Sequence, residues 1–442
     1  MTIANSKGHL LRVLGVGFGL AVIIGNTIGG GIFRAPGAIA ELLPNPWLFL
    51  GVWVAGGLYA LLGAISLAEL GAMIPRSGGQ YVFARYALGE YAGFIVGWSD
   101  WISSCGSTAA VALLLATFTG KLVPSLSNAP AVAAAVAIFF ALLQWRSVVW
   151  GGTIQNVTSS LKALAFISLI VAAFILGGNG ALTSAASYST PPGPALLVAL
   201  VLSLQSVIYT YDGWSGVIYF SEEVENPGHD IPRAMFGGVL SIAAIYLLVN
   251  VALLYVLPVT GIAGKEFAAG EAANVIFGKH GDLIFRVLTI VSMLSGINAL
   301  HLMATRVLFA MSRDGLFSHH AAIVNKGGTP SVSLMMSTLV SVLFIIFGQT
   351  FEKVITVLAF FFVANYVLSF ISLFVLRRRE PDKERPYRAW GYPWTTALAL
   401  IGSVLFLAGA IASDTRNSVY ALLLLAVSYP VYRLVTVLRA NQ

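Results

Sequence analysis

The groups best placed to do chemistry in this 442-residue chain are backbone amides and carbonyls. The run Ile24-Gly25-Asn26-Thr27-Ile28-Gly29-Gly30-Gly31-Ile32-Phe33 interrupts the first long apolar segment, with four glycines in seven residues. Glycine costs about 1 kcal/mol against alanine inside a helix, and unpaired backbone in hydrocarbon costs more for each group. Non-helical backbone survives at that depth only where it is buried in protein or lines a cavity, so this break marks a ligand site. A half-helix beginning near Gly30 presents free N–H donors and a dipole that favours an anion. The half-helix ending near Thr27 presents free C=O acceptors. Without side chains, the glycines let an anionic group approach the backbone closely.

A second apolar segment repeats the anomaly. It reads Ser206-Val207-Ile208-Tyr209-Thr210-Tyr211-Asp212-Gly213-Trp214-Ser215-Gly216, then Ser221-Glu222-Glu223-Val224-Glu225-Asn226-Pro227. Interrupted spans at corresponding positions of two halves point to an inverted-repeat transporter with its site between the breaks. The ordinary alternative is that small residues merely let helices pack closely. Donors of the first break facing carbonyls around Tyr209 and Asp212 match a zwitterion, and a free α-amino acid has that charge pattern.

These breaks need spans to hold them. The chain is 58% hydrophobic and only 10% charged, against roughly 25% charged in soluble domains, which makes it an all-α integral membrane protein. Apolar runs give 12 candidate transmembrane helices, near 13–37, 46–73, 90–118, 129–146, 153–178, 195–223, 235–258, 282–311, 332–350, 354–376, 393–412 and 417–436. They form one transporter domain: a five-helix unit over 13–178, a second over 195–376, and two further helices over 393–436. Arg76, Arg85, Arg146, Arg233, Arg313 and Arg377-Arg378-Arg379 fall on one side; Lys121, Lys265, Lys279, Lys353 and Arg416 fall on the other. The positive-inside rule then puts both termini in the cytoplasm of a multi-pass inner (plasma) membrane protein. Lys7 and Arg12 lead straight into a full-length span, so no cleavable signal peptide is expected.

Other chemistry is scarce. The net charge of +7 sits in short loops, which argues against nucleic acid. The single cysteine, Cys105, lies in an apolar run, so neither a disulfide framework nor a cysteine metal site is expected. His301, His319 and His320 lack ligand partners at metal spacing, and no phosphate-binding loop is present. Gly15-x-Gly17-x-Gly19 follows no strand and is no dinucleotide fingerprint. An enzyme, a metal and a cofactor are therefore not expected.

The chain resembles the amino acid–polyamine–organocation superfamily, closest to its L-type branch, which includes bacterial Ser/Thr exchangers. The resemblance rests on Gly25–Phe33, Ala68-Glu69-Leu70-Gly71 with Ile74-Pro75-Arg76-Ser77-Gly78-Gly79, and Tyr211-Asp212-Gly213-Trp214. It continues through Glu222–Pro227 with Ile231-Pro232-Arg233-Ala234, Ser312-Arg313-Asp314-Gly315-Leu316, and Arg385-Pro386-Tyr387. It implies a LeuT-type 5+5 inverted repeat with helices 1 and 6 broken, moving amino acids by alternating access. It places carboxylate-binding amides on Gly30 and Gly31, and amino-group-binding carbonyls on Ile28, Tyr209 and Asp212. A valine at Gly31 would on that placement fill the carboxylate position. The resemblance also gives Lys162 the place of a sodium ion, bridging spans one, five and eight, with a lysine snorkelling to the interface as the alternative. The animal L-type relatives join an ancillary glycoprotein through a cysteine after span three; the loop around Lys121–Ala129 has none, so no disulfide-linked subunit is expected.

Charged residues within spans are costly and usually paired or functional. Asp212 attracts a substrate ammonium, favours a cationic side chain, or caps the second half-helix. Arg34 is expected to pair with Asp100 or Glu41, while Glu69, Asp100 and Arg306 serve packing and gating. Glu222 and Glu223 facing Arg76, Arg85 and Arg313 read as an inner gate latch, or as a solvated loop. Ser103 and its neighbours through Thr108 make span three small and polar; Tyr209, Trp214 and Phe361 are candidate aromatic walls, and Asn365 a polar one. Sodium-independent exchange or proton-coupled uptake is expected, with small neutral substrates slightly favoured over large neutral or cationic ones. A membrane amino acid sensor is the rival from another class, and a channel is disfavoured because no charged ring or repeated filter is visible.

Overall fold

A computed structural model describes residues 12, 14–177, 192–348, 351–413 and 415–440. The starts and ends assigned to the first five-helix unit, residues 13 and 178, and the segment carrying Lys7 lie outside them. The described chain is nearly all helix. The first span is α1 (Val16–Thr27) and α2 (Gly30–Leu42), bent 44° at the glycine break. Spans two to five are α3 (Pro46–Met73), then after the short α4 (Gln80–Leu88) come α5 (Glu90–Leu122), α6 (Ala129–Arg146) and α7 (Val148–Leu176). Span six is α8 (Pro194–Tyr211), continued past a turn by a 3-10 segment, Gly216–Phe220.

Span seven is α9 (Pro227–Val256); the short α10 (Val259–Ile262) and α11 (Ala268–Phe277) precede span eight, α12 (Gly281–Arg313). The chain then runs through α13 (Ser331–Gly348), α14 (Phe351–Arg379), α15 (Trp394–Ser413) and α16 (Thr415–Ala440). Among the described residues, eleven helices are long and apolar enough to cross a membrane, or 12 with the bent pair counted as one span.

The differences from the hydropathy reading have local causes. Span seven starts at Pro227 rather than near 235 because proline at the first helical position, with Asp230 in the first turn, starts a helix in polar sequence. α11 is apolar, but its ten residues are too short to cross and too few to register as a span. Asn45 caps α3 by accepting from the amides of Trp47 and Leu48, with Pro46 at the first position, which fixes where span two begins.

α5 is the core of the bundle, packed by α4, α6, α12, α13, α14 and α16. It is deeply buried, whereas the last span, α16, lies at the outside of the bundle against α5, α14 and α15. α1 packs on α7, α9 and α12, while α2 packs on α8. The two halves of the first span therefore sit among different neighbours, and the break is where those environments meet.

Candidate functional site

α1 ends because Ile28 leaves helical space at ψ 89° and Gly29 is extended at φ −139°, ψ −149°. No side chain caps α2, so the amides of its first turn, beginning at Gly30 and Gly31, point out of the helix without an intrahelical partner. α8 ends where Asp212 turns outward and Gly213 adopts φ +109°. A Cβ on Gly213 would stand 2.7 Å from Asn26 Nδ2 and 2.9 Å from Thr27 Oγ1. Glycine is needed there twice over, for the left-handed backbone and for the contact between the breaks.

A cavity lies where the breaks meet. It is bounded by Asn26, Thr27, Gly29, Gly30 and Gly31 of the first, Tyr209, Thr210 and Asp212 of the second, and four residues of neighbouring helices. Those four are Ser107 and Val111 of α5, Leu300 of α12 and Phe362 of α14. About 40 Å³ is open to the centre of a water molecule, room for roughly three waters. Thr27 Oγ1 and Ser107 Oγ, both on this wall, are buried with no hydrogen-bond partner. Unpartnered buried hydroxyls beside free amides describe a wall that awaits a polar ligand.

Two side chains hold the first break in shape. Lys162 of α7, 1% exposed, donates from Nζ to the carbonyls of Gly25 at 2.8 Å and Ile28 at 2.5 Å. An ammonium thus satisfies the carbonyls that the broken helix leaves open. Gln155 and Ser159 of the same helix donate to the Ala21 carbonyl one turn earlier. The Tyr246 hydroxyl of α9 lies 2.7 Å from the Thr27 carbonyl and 3.0 Å from that of Thr210, sharing its one proton between the breaks. Sequence reasoning missed Tyr246, whose only signal is a polar tip in an apolar run. Tyr246→Phe should cost about 1–3 kcal/mol by stranding those carbonyls, read as a lower melting temperature in detergent with slower flux; unchanged values for both would remove the tyrosine from this role.

The structure brings Gly30, Gly31, Tyr209 and Asp212 together on the cavity and leaves other candidates off its wall. Ile28 turns its carbonyl to Lys162. Ser103 donates to the Asp100 carbonyl, and Ser107, one turn further along α5, takes the place on the wall. Trp214 stacks on Tyr366 at 5.0 Å. Asn365 accepts from Ser99 at 2.7 Å, and Phe362 rather than Phe361 reaches the cavity. The Cβ direction of Gly31 points to Thr210, 2.7 Å from Oγ1 and 2.9 Å from Cα, so a substitution there meets the second break.

The ion pairs also differ from expectation. Arg34 pairs with Glu266, whereas Asp100 is held by the Tyr219 hydroxyl. Glu222 does meet Arg313, at 2.7 Å, but Glu223 turns inward to the fully buried Arg306 at 3.0 Å. Arg76 and Arg85 bind Asp314 instead of the acidic run. Beside these pairs Leu14 donates to the Glu223 carbonyl at 2.9 Å and accepts from the Glu225 amide at 3.0 Å, tying the approach to α1 against the approach to α9. Glu69 gathers Arg377, Arg385 and the Ala389 amide.

The chain matches the family model for amino acid permeases over residues 19–431. It is 30% identical over 434 residues to the "serine/threonine exchanger SteT" of Bacillus subtilis (strain 168), covering 96% of each chain. It is 28% identical over 403 residues to mouse "Asc-type amino acid transporter 1", covering 87% of this chain and 74% of that protein. It is 26% identical over 425 residues to human "b(0,+)-type amino acid transporter 1", covering 94% and 86%.

Proposed function

Because the chain belongs to the amino acid permease family, we propose that it carries small neutral amino acids across the membrane by sodium-independent exchange. The observation that carries this reading is the cavity at which the uncapped start of α2 and the broken end of α8 meet. The amides of Gly30 and Gly31 hold the substrate carboxylate, helped by the helix dipole. Carbonyls of the breaks and the Asp212 carboxylate hold its ammonium. The small volume, lined also by Tyr209, Leu300 and Phe362, leaves room for a short side chain, and the Thr27 and Ser107 hydroxyls can pair with a polar one. Lys162 takes the structural place of a coupling cation.

The two five-span units work as inverted repeats, with the arginine-rich end facing the cytoplasm and both termini on that side. Substrate enters from one face while the Glu223–Arg306 pair and the Leu14 bridge hold the other closed; their release opens the second path. The transporter acts without a disulfide-linked subunit, Cys105 being buried in α5.

Counterflow of tritiated serine into proteoliposomes tests the reading. Flux should persist when sodium is replaced by choline, and excess alanine, serine or threonine should compete where leucine and arginine do not. Competition by arginine would mean that Asp212 selects a cationic side chain. Saturable binding without any flux would make the protein a sensor and refute transport.

A further inference from the structure

Gly25 is not part of the unwound backbone. It lies inside α1, two residues before that helix ends at Thr27. What demands glycine there is the surface beneath it. A Cβ would run into the Gln155 carboxamide nitrogen and stand 2.6 Å from Ser159 Oγ and 2.7 Å from Ser295 Oγ. α7 and α12 thus build a polar seat, and the last turn of α1 rests its bare Cα on it.

The seat is the end of a chain of side-chain amides. Gln155 of α7 donates from Nε2 to the Ala21 carbonyl at 3.2 Å, with the hydroxyls of Ser159 and Ser295 at 3.0 and 3.4 Å. Its Oε1 accepts from Asn298 Nδ2 of α12 at 2.9 Å. Asn298 Oδ1 accepts in turn from Gln144 Nε2 of α6, also at 2.9 Å. Asn298 donates further to the Gly151 carbonyl, and Gln144 to the Asn298 carbonyl, each at 3.0 Å. Gln144 is 1% exposed, and Gln155 and Asn298 are fully buried. Backbone carbonyls only accept, so the Ala21 and Gly151 carbonyls orient Gln155 and Asn298 the same way along the chain. With no water to substitute inside the bundle, each link depends on the next.

The far end of the chain is anchored. Thr329 and Asn325, in the connection between α12 and α13, donate to the carbonyls of Gln144 and Trp145 at 2.6 and 2.7 Å. The near end reaches the cavity. Asn26 and Thr27, the residues that follow Gly25, lie on its wall, and Thr27 Oγ1 is buried there with no hydrogen-bond partner. Lys162 fixes the Gly25 and Ile28 carbonyls, while the amide chain fixes the Ala21 carbonyl and the Cα of Gly25. The last turn of α1 therefore neither rotates nor slides without losing a bond.

We propose that Gln155 and Asn298 are positioning residues for substrate selection, an inference that rests on the transport reading above. By seating α1 they aim the Thr27 hydroxyl into the cavity, where it pairs with a hydroxyl on the substrate side chain. Neither amide lines the cavity, so each acts through α1. A hydrogen bond weakens steeply once its angle drifts. A loosened seat thus costs serine, which has a hydroxyl to pair, and spares alanine, which has none.

The test reads a ratio, so that loss of folded protein cancels. Counterflow of tritiated serine and of tritiated alanine into proteoliposomes gives a KM for each on one preparation. The unaltered protein should prefer serine by about three- to tenfold, the worth of one hydroxyl pairing. Gln155→Leu and Asn298→Leu, close in size and unable to pass on a hydrogen bond, should each bring the two KM values together. Thr27→Val, which removes the hydroxyl itself, should do the same. Should the leucine variants fail to fold, Gln155→Asn keeps an amide but is too short to reach α1 and should lower the ratio; adding Asn298→Gln should restore part of it. Variants of Gln155 that slow both substrates alike and keep their ratio overturn the proposal and leave the chain a brace. An unaltered protein that treats serine and alanine alike overturns it too, with transport still standing. Absence of counterflow for both substrates refutes transport itself.

Discussion

Replacing Lys162 by methionine is expected to lower exchange to about 1% or less of the original rate while changing serine affinity far less. The ammonium is the group that closes the Gly25 and Ile28 carbonyls. Removing it strands two buried acceptors, each at a cost of about 1–3 kcal/mol. The break then recovers that energy by re-pairing its backbone in other geometries, and the hinge between α1 and α2 loses its single shape. A rate loss of two decades corresponds to about 2.7 kcal/mol, within the range two stranded carbonyls supply. Methionine keeps the apolar stem that fills the site, so a cavity is not the cause as it would be in an alanine variant. Lys162 stands off the cavity wall, which is why equilibrium binding is the more tolerant quantity. Counterflow and binding measured on the same preparation check this, and a methionine variant that exchanges at the original rate refutes it.

Gly31→Ala should weaken serine binding by more than about tenfold, and the reason can be separated from the obvious one. The new methyl group would meet Thr210 at 2.7 Å from Oγ1, 2.9 Å from Cα and 3.0 Å from Cβ. Such contacts force α2 and α8 apart, a strain of about 1–3 kcal/mol in packed surroundings, which is roughly one to two decades in affinity. Thr210→Gly removes two of those three atoms, so the double variant should regain part of the loss. A methyl group that blocked the carboxylate directly would gain nothing from the second change. Binding of labelled serine to the three variants decides between them, and a double variant no better than the single one refutes the helix-contact account.

The two breaks and Lys162 were legible from sequence because a bilayer penalises what they are. Glycines in mid-span and a lysine among apolar residues stand out against the energetic rule of their surroundings. Tyr246, Thr27 and Ser107 carry no such signature, since a hydroxyl in a membrane helix ordinarily bonds its own backbone, as Thr108 does to the Ser104 carbonyl. The small polar stretch of α5 was visible, yet its depth was not. One helical turn separates Ser103, bonded within its helix, from Ser107 on the wall. Ion-pair partners were equally hidden, because Glu222 and Glu223 are neighbours in sequence but face different arginines once the 3-10 segment turns. Hydropathy finds the spans; it says nothing about which residues meet across them.

A cation covalently tethered to a helix has a thermodynamic consequence. A free ion held at the first break could be released on the far side and would lend its electrochemical gradient to the substrate. The Lys162 ammonium is part of the chain and is back where it began after each full cycle, so its own movement does no net work. The protein then has no built-in battery at that position. On the exchange reading proposed above, the concentration ratio it sustains is set by the amino acid moving the other way, and it would act as an equaliser of solute ratios across the bilayer.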